Sequence, residues 1–195
     1  MSLVELLVSM SILTMVMGGM AIFFTSIWRT QAFTIEVGQT AFLASRGVKG
    51  LSDAIRNARM SANGSFPVSV ATPTEFTFYS DVDGDDVIER VHLFYDTTSS
   101  PKTVKVGVTD PNGATPPVYP AGDASTSIIA SSVVNTASQP VFSYYDRDSV
   151  PLPENPAPSS VRMVAISLFV NVDPTTAPQS VEISTIVSLR NLWKK

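Results

Sequence analysis

Apolar residues dominate the chain from Leu6 to Trp28, and no charged side chain interrupts them until Arg29. A helix rises about 1.5 Å per residue and a bilayer core is about 30 Å thick, so roughly 20 apolar residues span it. Positions 6–28 are long enough for that. They are too many, and lack the basic start, for a cleaved secretory signal, whose apolar core runs about 7–15 residues. After Trp28 the pattern turns amphipathic. Val48, Leu51, Ile55, Ala58 and Ala62 recur at spacings of three and four, one face of a helix, with Arg46, Lys49, Asp53 and Arg56 among the polar positions between. The stretch Asn63–Pro67, "NGSFP", carries the stop signals, a glycine and then the first proline. The pattern therefore predicts one helix over about residues 2–62, with an apolar half (1–28) and an amphipathic half (29–62). A helix of about 60 residues would be about 90 Å long, so the apolar half is expected to protrude from any globular head. Gly18–Gly19 is a weak point in it, costing about 2 kcal/mol of helix propensity relative to alanine, where a bend or unwound stretch is expected.

From Pro67 onward the period changes to two. Strands are expected at Thr74–Ser80, Val87–Asp96, Lys102–Val108 and Pro140–Asp146. Ser160–Val172 places Val164, Ile166, Leu168 and Val170 on one face, and Gln179–Leu192 does the same with Val181, Ile183, Val187 and Leu189. The turn "DPTTAP" should join these last two as an antiparallel hairpin. Residues Thr109–Gly122 and Ser149–Ser160, rich in proline, read as loops, and Ser125–Ser138 is ambiguous between strand and short helix. The fold class is α+β: one antiparallel sheet over residues 68–192, covered on one face by the amphipathic helix half, in a head of residues 29–195.

Composition narrows the function. The chain has no cysteine, which excludes a disulfide framework and a thiolate metal site. Charge is uneven: residues 1–62 carry net +2 and the remainder net −6, giving the total of −4. An acidic head has no overall electrostatic footprint for nucleic acid, so no specific nucleic acid is expected as a partner. No nucleophile elbow, phosphate loop or zinc spacing is present, and the single histidine, His92, sits mid-strand, so no catalytic residues are assigned and an enzyme is not expected.

Glu5 stands at the head of the apolar run. A carboxylate at the bilayer centre costs about 2.5–3.5 kcal/mol on insertion scales. It can rest at the membrane interface, favoured by the helix dipole in the first turn; act as an intramembrane functional acid; or pair with a cation inside an assembly, the α-amino group of a neighbouring chain being one candidate. The residues by themselves leave all three open; a family resemblance favours the third. "SLVELLVSMSIL" resembles the start of type IV pilins and pseudopilins, whose processed chains open on Phe or Met, a small polar residue and Leu-Val-Glu-Leu-Leu; Met1, Ser2, Leu3, Val4, Glu5, Leu6 and Leu7 match position by position. The resemblance extends to the uncharged run, the amphipathic continuation and a β-rich head. It implies that a prepilin peptidase cuts before Met1 and methylates its new amino terminus. It also implies that Glu5, beside Ser2 and Leu3, offsets a neighbour's terminal amine and sets register during assembly. The family's frequent proline in the apolar half is missing, Ile22 standing in its place, so helix melting there would rest on Gly18 and Gly19.

The resemblance makes the chain a structural subunit of a type IV pilus-like filament. It would wait as a single-span protein of the cytoplasmic membrane, meet the pilus or secretion assembly machinery, and end as a homo-oligomeric helical filament on the cell surface. "SLRNLWKK" and "FTFYSDVDGDD" resemble larger, minor-pilin-like members, so a minor pilin or type II secretion pseudopilin is the alternative; a membrane-anchored binding module is another. Tyr119, Tyr144, Tyr145 and Trp193 are candidate adhesive aromatics, with core or edge packing as the alternative use. Finally, Asp81, Asp83, Asp85, Asp86 and Glu89 fall within nine residues, "DVDGDDVIE". Hard carboxylate oxygens suit Ca2+, although the spacing is not that of an EF-hand; the other reading is a plain hairpin turn on Asp-Gly. No other cofactor is expected.

Overall fold

The computed structural model describes residues 3–171 and 180–192. Met1, Ser2, Trp193 and the DPTTAP turn lie outside them. The chain divides into two compact units, Met1–Gly38 and Gln39–Lys195. Helix α1 runs Leu3–Arg56, followed by β1 (Val68–Ala71), β2 (Glu75–Ser80), β3 (Glu89–Asp96), β4 (Thr103–Thr109), β5 (Ser125–Ser131), β6 (Phe142–Tyr145), β7 (Met163–Val170) and β8 (Val181–Ser188). The class is α+β, as the periodicity predicts.

In the first unit, Leu3–Trp28 has a mean hydropathy of 2.1 and none of it is buried, so this helix is long and apolar enough to cross a membrane. Four of its hydroxyls bond within the helix. Ser11 donates to the Val8 carbonyl at 2.8 Å, Thr14 to Ser11 at 2.9 Å, Thr25 to Ile22 at 2.8 Å, and Ser9 to Glu5. Returning a hydroxyl to the preceding helical turn satisfies it where no water is present. Gly18 and Gly19 lie within the unbroken helix, so no unwinding is seen at the expected weak point. Two glycines lower propensity without removing any backbone donor, and the ladder around them keeps its bonds. A Cβ at either glycine would meet nothing within 4 Å.

In the second unit the helix ends at Arg56, short of residue 62. The reason is tertiary. Ala58 is buried but its carbonyl accepts from Asn191 Nδ2 at 2.9 Å, while the Arg59 N–H donates to Tyr79 at 2.9 Å and the Ala62 N–H to the Tyr119 hydroxyl at 3.1 Å. Those partners take over the backbone groups that a longer helix would pair internally. Ala62 is consequently exposed and Ser61 buried, the reverse of the predicted face.

The β region forms two antiparallel sheets, where the sequence pattern suggests one: β1–β2–β3–β4–β5 and β6–β7–β8. Ser125–Ser131 resolves as strand, and β1 is an element the pattern does not reveal. The β7–β8 hairpin pairs as expected, Val164 opposite Val187 and Leu168 opposite Ile183, but Val181 is exposed. Val48 and Ile55 from the helix join Phe76, Phe78, Val91 and Leu93 of the larger sheet and Phe142, Val164, Ile166 and Leu168 of the smaller one in a single core. Gly47 permits the close approach of helix to β5, since a Cβ there would sit 2.8 Å from the Ile129 side chain. The sheets are tied by polar bonds as well. Tyr144, buried on β6, donates its hydroxyl to the Thr72 carbonyl at 2.7 Å, and burial pushes its phenol well above the usual range. Buried Asn135 bonds to the Gln139 and Ser167 carbonyls and accepts the Phe169 N–H at 2.9 Å.

Candidate functional site

Two regions carry chemistry, and they lie in different units. The first is the apolar helix with Glu5, an exposed carboxylate in the first turn of α1. Negative charge is favoured at that position by the backbone dipole. Leu3 is exposed beside it; Met1 and Ser2 lie outside the described residues.

The second is the acidic turn between β2 and β3. Ser80 pairs with Glu89, so the connection is residues 81–88, longer than a two-residue hairpin turn. Gly84 and Asp86 both take positive φ, 84° and 68°, within this connection. Oxygens of Asp81, Asp83, Asp85 and Glu89 come within 4.8 Å of one another. Asp86, the fifth candidate, is not in that group.

Backbone N–H groups already use one oxygen of each member. Gly84 donates to Asp81 Oδ1 at 2.7 Å, Asp85 to Asp83 Oδ1 at 3.3 Å, Val87 to Asp85 Oδ1 at 2.8 Å, and Val82 to Glu89 Oε2 at 2.7 Å. Arg59 adds an ion pair to Asp81 Oδ2 at 3.4 Å. The turn therefore holds its shape by itself, and the second oxygens of Asp83, Asp85 and Glu89 are what a calcium ion would use. This donor set fits a hard, oxygen-seeking cation.

Glu89 is the unusual member, only 2% exposed. Burial raises its carboxyl above the ordinary range; the Val82 N–H opposes that, and the charges of Asp83, Asp81 and Asp85 add to it. A raised folded-state value means the folded chain binds the proton more tightly than the unfolded one. Stability therefore falls as pH rises through that window, and the cost is absent below the unfolded carboxylate range. Glu89→Gln keeps the acceptor for Val82 and removes the charge. It is expected to raise the melting temperature at neutral pH without divalent ions by about 2–4 °C, the shift of roughly 1 kcal/mol in a domain of this size. The difference should vanish as pH falls towards about 4. Added Ca2+ should then raise the wild-type melting temperature more than the variant's. A wild type indifferent to millimolar Ca2+ would leave the turn with structure alone.

The candidate aromatics divide. Tyr144 is spent on the inter-sheet bond, and Tyr119 packs on Tyr79 with ring centroids 5.1 Å apart while its hydroxyl donates to Ile88 at 2.6 Å. Neither ring is a free adhesive surface. Tyr145 is half-buried, and Trp193 lies outside the described residues. Sequence reasoning missed the polar group around His92. Its Nδ1 lies 2.9 Å from Asp123 Oδ2, and its Nε2 lies 2.9 Å from Glu75 Oε1 but makes no hydrogen bond. Asp123 is 31 positions away along the chain, so no local pattern could signal the pairing. No family model, curated protein or solved structure matches this chain.

Proposed function

We propose that this chain is a structural subunit of a type IV pilus-like filament, inserted in the cytoplasmic membrane by Leu3–Trp28 and then assembled on the cell surface through bundles of the same segment. The observation that carries this reading is that Leu3–Trp28 is long and apolar enough to cross a membrane and that its large apolar side chains are exposed among the described residues. Such a surface needs lipid or other helices. Bundling with copies of itself removes it from water at about 25 cal/mol per Å², on the order of 10 kcal/mol for several hundred Å² before entropy costs. A head-to-tail helical arrangement does not close and so grows as a fibre. Glu5 then supplies the one specific polar contact in an otherwise non-directional bundle, matching a neighbour's terminal amine. The self-satisfied hydroxyls of Ser11, Thr14 and Thr25 suit the segment to both surroundings.

Mass spectrometry of filaments sheared from the cell surface tests this. The expected result is this chain as an abundant component with a methylated Met1 at its amino terminus. A trace amount with the same terminus would indicate a minor subunit or pseudopilin. Absence from filaments, with an unprocessed terminus in the membrane fraction, would overturn the reading and leave a membrane-anchored binding module.

A further inference from the structure

Within Gln39–Lys195, helix α1 and strand β5 leave a groove of about 640 Å³ between them. Leu43, Gly47 and Gly50, at i, i+4 and i+7, form one helical stripe along it, and Val106, Ile128 and Ile129 line the sheet side. Gly47 brings the two elements together, but Gly50 has no such duty: a Cβ there would meet nothing within 4 Å. Glycine is a weak helix former, and at position 50 its effect is to keep the groove open. The surface around the groove is apolar and basic. Phe42, Leu43 and Ile128 are exposed by 66%, 63% and 62%. Phe42, Arg46 and Lys49, again at i, i+4 and i+7, make the adjoining stripe, and all three are exposed. Neither cation has an ion-pair partner among the described residues, whereas Arg56 is paired with Asp53 and Arg59 with Asp81.

We propose that this groove receives the acidic turn, residues 81–88, of a second copy of the chain. The proposal rests on the filament reading above and names a contact between heads within it. The turn carries the complementary chemistry. Val82 and Val87 are exposed, and so are Asp83, Gly84, Asp85 and Asp86 between them. The valines meet Phe42, Leu43 and Ile128, while the carboxylates meet Arg46 and Lys49. Hydrogen bonds within the turn occupy one oxygen each of Asp83 and Asp85, leaving the other for a guanidinium or ammonium. A head does not dock its own turn. Ser80 Oγ donates to the Ala54 carbonyl at 3.0 Å and Arg59 pairs with Asp81, which holds the turn at the C-terminal end of α1. The groove lies about two turns up the helix from there, roughly 10 Å. Across the sheet, β4 separates β3 from β5, which adds roughly 10 Å. Turn and groove are thus separate surfaces of one head. A contact between unlike surfaces leaves a free turn at one end and a free groove at the other, so it propagates as a fibre does.

The chain has no cysteine, so disulfide cross-linking of the full chain tests this directly. A disulfide needs Cα atoms within about 7 Å, so it reports contact. Gly50→Cys in the groove and Val82→Cys in the turn are expressed as two chains in the same cells, and membranes and sheared filaments are oxidised. A mixed dimer is expected, and a chain carrying both substitutions should give a ladder of multimers. Val150→Cys, exposed elsewhere on the head, replaces Val82→Cys as the control and should give no dimer. Arg46→Glu with Lys49→Glu should lower the mixed dimer by roughly tenfold or more, because like charges then face each other. Asp83→Asn with Asp85→Asn keeps the oxygens that hold the turn, removes their charge, and should also lower it. Should Val82→Cys fail to accumulate, Val87→Cys on the other flank of the turn takes its place. Filaments that assemble from these variants without the mixed dimer overturn the contact and leave the filament reading standing. The mixed dimer in membranes of cells whose filaments lack this chain keeps the contact and overturns the filament reading. A dimer as abundant from either variant alone, an unchanged yield after reversal of Arg46 and Lys49, or Gly50→Cys trapped on anionic partners other than this chain rejects the proposal.

Discussion

Glu5→Ala is expected to abolish filaments while leaving the chain in the membrane. The two effects have opposite physical signs. Removing a carboxylate from an apolar helix makes insertion easier, by up to about 2.5–3.5 kcal/mol at the bilayer centre and less near the interface. In the proposed bundle of Leu3–Trp28 segments the same removal would leave a neighbour's terminal ammonium buried without its mate. Breaking one side of a buried ion pair costs about 3–5 kcal/mol, at least two powers of ten in the contact equilibrium. That cost recurs at every subunit, so filament yield should fall below detection rather than by a fraction. Glu5→Gln, which keeps size and hydrogen-bonding capacity, should fail equally if charge is what matters. The measurements are filament recovery by shearing and membrane content by fractionation of the same cells. Normal filaments from Glu5→Ala would sink the assigned role, and loss from both fractions would mean the substitution acts on insertion or turnover instead.

Phe76→Ala carries the largest expected stability loss in the head, about 3–5 kcal/mol. Phe76 is fully buried at the meeting of the two sheets. Its ring lies 5.2 Å from Phe78 on its own strand, and 6.2 Å and 5.8 Å from Phe142 and Tyr144 on the smaller sheet. Truncation removes transfer free energy, leaves a cavity, and strips three aromatic contacts at once. At about 2–4 °C per kcal/mol for a domain of this size, the melting temperature should drop by about 10 °C. Ile128→Ala, on the exposed part of β5, should stay within about 0.5 kcal/mol and serves as the comparison. Denaturant unfolding followed by circular dichroism reads both. A loss under about 1 kcal/mol for Phe76→Ala would mean that the two sheets do not share a cooperative core.

The apolar run, the helix that continues it, six of the eight strands and the β7–β8 pairing are legible because each rests on local periodicity. Val164, Ile166, Leu168 and Val170 are all buried along β7, as the pattern requires, with the small Ala165 buried among them. The failures share one cause. Helix α1 stops at Arg56 because Tyr79, Tyr119 and Asn191, all distant in the chain, claim the backbone of Ala58, Arg59 and Ala62. Strand β1 is only four residues long, too short for a period to register, and exists through its pairing with β2. Division into two sheets depends on which strands become neighbours, and hydrophobic alternation is blind to that.

The same division holds for the sites. By itself the sequence determined that a carboxylate heads an apolar segment able to span a bilayer and that acidic residues cluster on one turn, because charge and hydropathy are properties of residues and their order. Only the tertiary structure decided that Asp86 leaves the acidic cluster while Glu89 is buried in it, since side-chain proximity and burial are set by how the chain folds and not by its order. Tertiary structure alone also brought Asp123 through the gap at Gly107 to His92, because a contact across 31 residues is made by the register of β3 on β4 and the path of a loop, and neither leaves a mark in local pattern.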